Sequence, residues 1–214
     1  ELLTLLAAAG AEWVQIDEPA LVLDLGDEAL AAYRTAYAEL AKVDGIKLML
    51  ATYFGGLDDN LETALALPVA GLHVDLVRAP QQLDAVLAGA RDDLTLSLGV
   101  IDGRNIWKAD LTAILDRYEP VAKARDLQIA PSCSLIHTPI DLALETALDP
   151  DVKDWLAFAV QKLEELSVLR LGLNDGRYVI SDELAANADA VTARRHSPLT
   201  NNSVVRKRLA KATD

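Results

Sequence analysis

Short, unbroken apolar runs alternate along this chain with longer segments of helical spacing, and that alternation narrows the fold class more than any other feature. Residues 13–16, 46–52, 71–76, 94–100 and 127–130 read as strands. Residues 2–9, 27–42, 58–67, 80–90 and 110–123 read as helices, and 149–171 as one or two long ones. The helical pattern of 27–42 rests on Leu30, Tyr33, Tyr37 and Leu40. Gly10 sits where a helix ends on a left-handed glycine, and Pro80 stands in a first turn. Strands that are apolar throughout belong to parallel sheets covered by helices, so the chain reads as α/β. The polar residues collect where the strands end: Asp17-Glu18, Thr52-Tyr53, Asp75, Asp102 and Ser132-Cys133. In a (β/α)8 barrel, that end carries function. A closed barrel needs eight strands and about 250 residues, whereas five strands are legible here. The sheet is therefore either open or the later part of a barrel, and the absence of an initiator Met favours the latter.

Composition excludes several classes. About half of the 214 residues are hydrophobic, enough to form a core. The net charge of -13 opposes nucleic acid and anionic membrane surfaces. One cysteine cannot form an internal disulfide, which points to a reducing compartment. No uncharged apolar run of about 18 residues offers a membrane span. Beyond residue 185 the sequence turns polar and carries two basic clusters, Arg194-Arg195-His196 and Arg206-Lys207-Arg208. These read as a solvated linker or a helix end, or as a docking element for a partner domain.

Several residues can carry chemistry. Asp17 and Glu18 are adjacent at a strand end and so face opposite ways; one can act as base, amine ligand or metal ligand, or both can hold backbone amides. Cys133 offers a nucleophile, a soft ligand or simply a small buried side chain. His73, His137 and His196 form no zinc-type spacing. The turn Asp102-Gly103-Arg104-Asn105 can bind a carboxylate or amide through the arginine fork, or pair internally. Gly55-Gly56 allows close approach of an anion, but no phosphate-binding loop, dinucleotide fingerprint or nucleophile elbow occurs.

Six stretches, in order, resemble cobalamin-independent methionine synthase: EWVQIDEPALVLDL (12–25), LATYFGGLDDNL (50–61), LPVAGLHVDLVR (67–78), LSLGVIDGRNIWKADL (96–111), PSCSLIHTPIDL (131–142) and ARRHS (193–197). They resemble the amino-terminal barrel of that family and not its catalytic carboxy-terminal barrel. The resemblance implies two fused (β/α)8 barrels, of which this chain holds strands four to eight. Residues 1–193 would be part of the amino-terminal barrel, and 194–214 the start of the interdomain connection.

The family's activity, transfer of a methyl group from 5-methyltetrahydrofolate polyglutamate to homocysteine, would then belong to the whole protein, with this part inactive alone. Its zinc would lie in the carboxy-terminal barrel. The ligand positions fall here on Ala51, Tyr53, Asp75 and Cys133, a degenerate set, so no metal or other cofactor is expected in this chain. Asp17 falls where the catalytic barrel places an acid for the substrate amino group. Substrate contacts, if retained, would come from Asp17, Glu18, Tyr53, Asp102, Arg104, Asn105 and Ser132, with no catalytic residue among them. Expected partners are the catalytic barrel and the first strands of the same protein, with self-association through open sheet edges as a further outcome. The alternatives are a stand-alone barrel protein that binds folate or a small amino acid without zinc, and an independent enzyme using Asp17, Asp102 and Cys133.

Overall fold

The computed structural model describes residues 1–212. The elements are α1 (Leu2–Ala8), β1 (Trp13–Asp17), α2 (Asp27–Leu40), β2 (Lys47–Ala51), α3 (Leu61–Ala66), β3 (Gly71–Asp75), α4 (Leu83–Gly89), β4 (Thr95–Ile101), α5 (Leu111–Ala124), β5 (Leu127–Pro131), α6 (Pro150–Asp154), α7 (Ala159–Asp175), α8 (Ser181–His196) and α9 (Ser203–Leu209). The chain divides into two compact units: residues 1–102 with 123–134, and residues 103–122 with those from 135 onward.

The first unit contains the whole sheet. Its five strands are parallel and lie in sequence order, β1 to β5, as expected where each strand returns through a helix. The inner strands are the apolar ones: every residue of β3 is buried, as is all of β2 after Lys47 and all of β4 after Thr95. The outer strands β1 and β5 contain no buried residue. Register aligns the polar strand ends. Asp17 lies opposite Ala51, Ala51 opposite His73, His73 opposite Ser97, and Asp75 opposite Gly99. This is the α/β, barrel-type arrangement expected from the alternation, with five β/α steps.

One polar contact ties α2 to the sheet. Tyr33 and Tyr37, one helical turn apart, donate their hydroxyls to the two oxygens of Glu18, each at 3.0 Å. Tyr37 is buried, and burial together with the Glu18 charge pushes its hydroxyl pKa far up; Tyr33 is pushed up to about 12 by the same causes.

The second unit is helical. Leu115 of α5, Leu169 of α7 and Ile180 are buried in it, and Gly172 lets Ile180 approach, since a Cβ there would lie 2.6 Å from Ile180 Cδ1. Leu142, Leu156 and Phe158 form a smaller apolar cluster with Ile106 and Val152. Arg177 bridges Asp116 and Glu119 of α5 at 2.6 and 2.8 Å. The polar stretch after 185 is helical through His196, so Arg194-Arg195-His196 form a helix end, one of the readings the sequence offers. Its buried stripe is Asn187, Ala190 and Val191, too narrow and too polar to register as amphipathic periodicity. No helix among the described residues is long and apolar enough to cross a membrane.

Tyr37→Phe removes one of the two hydroxyls from the Glu18 carboxylate while keeping the ring. It should destabilise the chain by about 2 kcal/mol, the scale of a hydrogen bond to a charged group, as read by urea denaturation.

Candidate functional site

The strand ends of the first unit bring several of the expected residues together. Asp17 ends β1 with its carboxylate exposed; one oxygen accepts from Gln15 Nε2 at 2.7 Å and the other from the Tyr53 hydroxyl at 3.1 Å. Glu18 is turned away, onto Tyr33 and Tyr37. The opposed directions expected for adjacent strand-end residues are thus realised. The Tyr53 hydroxyl pKa is raised, first by desolvation, then by the charge of Asp17 and its hydrogen bond, with a smaller influence from Cys133. Tyr53 also packs edge-on against Phe54 at a ring separation of 4.6 Å.

Asp75 is buried, and its carboxylate is occupied by backbone. One oxygen accepts from Phe54 N–H at 3.0 Å; the other accepts from Val77 and Arg78 N–H at 3.0 and 2.8 Å. Phe54 has φ 79°, the left-handed region that a bulky residue seldom adopts, and this turn aims its amide at Asp75. Gln82 extends the network, donating to the Asp75 carbonyl at 2.9 Å and accepting from Leu57 N–H at 3.2 Å.

Behind this turn lies His73, which sequence spacing gave no reason to select. It is buried, with Nδ1 3.0 Å from Ser97 Oγ and Nε2 3.4 Å from the Ser132 carbonyl. A carbonyl can only accept, so Nε2 carries the proton and Nδ1 accepts from the Ser97 hydroxyl. Gly99 makes this approach possible: a Cβ there would fall 2.8 Å from Ser132 Cα, 2.9 Å from the Val74 carbonyl oxygen and 3.0 Å from His73 Cε1. Ser132 is buried, and its own amide donates to the Ile101 carbonyl at 2.7 Å. Cys133 is buried beside it, its thiol 3.7 Å from the Ser134 carbonyl. Among the described residues, no group of three or more His, Cys, Asp or Glu is placed to hold a metal ion.

The turn after β4 is divided between the units. Asp102, half-buried, closes the first stretch of one; Arg104, exposed, and Asn105 open the other. Asn105 accepts from Trp107 N–H at 3.0 Å, and the fully buried Lys162 of α7 donates to Asn105 Oδ1 at 3.4 Å and to the Trp107 carbonyl at 3.2 Å. Lys162 was not selectable from sequence, because a lysine in a helix ordinarily faces water. Arg194, in one of the two basic clusters, stacks on Trp107 at 5.1 Å, and Arg195 pairs with Asp110 at 3.0 Å.

A parallel sheet in sequence order, with its polar residues at the strand ends, defines a protein of the (β/α)-barrel class. The family described as "Cobalamin-independent synthase, N-terminal domain" matches residues 1–126, and the chain belongs to it. Among curated proteins, the 5-methyltetrahydropteroyltriglutamate–homocysteine methyltransferase of Rhodopseudomonas palustris is 56% identical over 217 residues, covering all of this chain and 28% of the relative. The protein of the same name from Caulobacter vibrioides is 58% identical over 212 residues, covering 97% and 27%. The chain thus spans little more than a quarter of the length of these relatives. A solved structure from Listeria monocytogenes, described as a vitamin-B12 independent methionine synthase, shares the fold with a TM-score of 0.52 at 24% identity, over 78% of this chain and 49% of that one.

The pKa of His73 lies below its ordinary 6.5, chiefly because burial penalises the imidazolium. The unfolded chain therefore takes up a proton that the folded chain resists. His73 should cost nothing above about pH 6.5, and stability should fall as the pH drops from there through the lower folded value. Urea midpoints of the chain and of His73→Gln, compared from pH 7.5 to 5, check this: the variant should lose that part of the acid sensitivity.

Proposed function

We infer that this chain is part of the non-zinc amino-terminal barrel of an enzyme that transfers a methyl group from 5-methyltetrahydrofolate polyglutamate to homocysteine in methionine biosynthesis. The observation that carries this reading is the state of the four degenerate ligand positions. Ala51 has no donor atom. Tyr53 gives its hydroxyl to Asp17, and both oxygens of Asp75 accept backbone N–H groups. Cys133 alone has the softness zinc prefers, and a zinc site needs three or four ligands. These residues do not fit the metal, so the zinc belongs in the remainder of the longer protein, and no step of the reaction runs through this sheet.

On this reading the chain supports the fold and supplies polar surface. Glu18 and Ser132 are supporting residues, in keeping with their hydrogen bonds to Tyr33, Tyr37, His73 and Ile101. Asp17, Tyr53, Asp102, Arg104 and Asn105 are the positions from which substrate contact would come. Residues 1–193 are the barrel part and 194–214 begin the interdomain connection; α8, ending at His196, supports a boundary close by. The catalytic barrel and the first strands of the amino-terminal barrel are the partners, and the compartment is the cytoplasm.

Methionine formation from homocysteine and 5-methyltetrahydrofolate triglutamate tests this assignment. The chain alone should form none, and the longer protein carrying Cys133→Ala should turn over like its parent. Turnover by the chain alone would overturn the assignment.

A further inference from the structure

The stretch between β5 and α6 turns large aliphatic side chains into solvent. Ile136, Ile140 and Leu144 are 84%, 75% and 74% exposed. Such side chains ordinarily end in a core, and several exposed together mark a surface that another surface covers. Ile140 and Leu144 are four residues apart, so their Cα atoms lie within about 14 Å of each other.

The stretch is firmly tied down. The Ala159 and Val160 N–H groups, at the start of α7, donate to the Pro139 and Ile140 carbonyls, each at 2.9 Å. Gln161 accepts from Leu142 N–H at 3.0 Å and donates to the Asp141 carboxylate at 2.9 Å. Lys153 donates to the Glu145 carbonyl at 2.6 Å. Leu142 is turned inward, into the cluster with Leu156 and Phe158. Anchored in this way, Ile140 and Leu144 are presented with little backbone ordering left to offset on binding.

Charge defines the partner further. Between residues 135 and 151 stand Asp141, Glu145, Asp149 and Asp151, with no lysine or arginine. Apolar centres with charged rims are the usual anatomy of an interface, and an acidic rim calls for a basic one opposite. A second copy of the chain fits poorly, because a two-fold contact here would set these acids against their own counterparts. The relatives offer another occupant: the chain covers only 28% of the Rhodopseudomonas palustris protein. A surface on the remainder of such a protein is tethered, and so acts at high effective concentration.

We propose that Ile140 and Leu144 are the apolar centre of a docking surface for the remainder of the longer protein, where they meet an apolar patch rimmed by basic side chains. This rests on the proposed function only in taking the chain as part of a longer protein.

Maleimide labelling tests it, with Ile140→Cys or Leu144→Cys placed on a Cys133→Ala background in the chain and in the longer protein. Mass spectrometry of the peptide holding the new thiol gives the rate. Both variants should react at least about tenfold more slowly in the longer protein. Tyr178→Cys, at a position 86% exposed, should react equally in both. Adding Glu145→Lys, which keeps the carbonyl that Lys153 bonds, should speed labelling of Leu144→Cys in the longer protein by about twofold to fivefold. Equal rates in chain and longer protein, or slowing that Glu145→Lys leaves unmoved, would overturn the proposal. Slowing in the chain alone that grows with its concentration would make a second copy the occupant and also overturn it. Labelling reads the contact and methionine formation reads the assigned activity, so each can fail without the other.

Discussion

Three backbone amides converge on the carboxylate of Asp75, and the polar end of the sheet is organised around that contact. A buried carboxylate is unfavourable unless its oxygens are satisfied, and here the donors come from two successive strand ends. Phe54 reaches it from the turn after β2, through a strained left-handed backbone, and Val77 and Arg78 reach it from the turn after β3. Gln82 then couples the same residue to Leu57. The geometry of these loops follows from satisfying one buried carboxylate.

The helical unit solves a similar problem with a different set of residues. The segment from Asn105 to Leu111 has little regular structure, so its backbone groups need partners from outside. Lys162 and Glu165 of α7 and Asn187 of α8 provide them, at Trp107, Ala109 and Leu111. Arg194 covers the Trp107 ring, and Arg195 holds Asp110. Buried charges and amides therefore do in this unit what strand pairing does in the other. One consequence is that a single Glu165 oxygen is left buried without a partner.

The sheet was legible in the sequence because parallel strands buried on both faces are apolar throughout, and β2, β3 and β4 show that signal without interruption. The clustering of polar residues at strand ends was equally visible, since a change from apolar to polar marks the end of each run. The direction of Asp17 and Glu18 followed from strand alternation, whereas the tyrosine pair that holds Glu18 depends on how α2 packs and leaves no local trace. His73 was hidden because its partners, Ser97 and Ser132, stand far off in sequence and meet it only through register and the missing side chain of Gly99. Lys162, Glu165 and α8 were hidden for a related reason. The burial of Lys162 and Glu165 serves loop backbone in a segment already legible as helix, and α8 lacks the clean apolar stripe that periodicity detects.

The central claim is that the strand ends of this chain carry hydrogen-bonded supports where a metal-binding relative would carry ligands. Zinc content, measured by mass spectrometry on the chain purified without chelators, tests it most directly. The account predicts a content near zero, the same for the chain and for Cys133→Ala. About one zinc per chain, lost in that variant, would contradict it: Cys133 would then be a working ligand, and the partners of Asp75 and His73 would have to be reassigned.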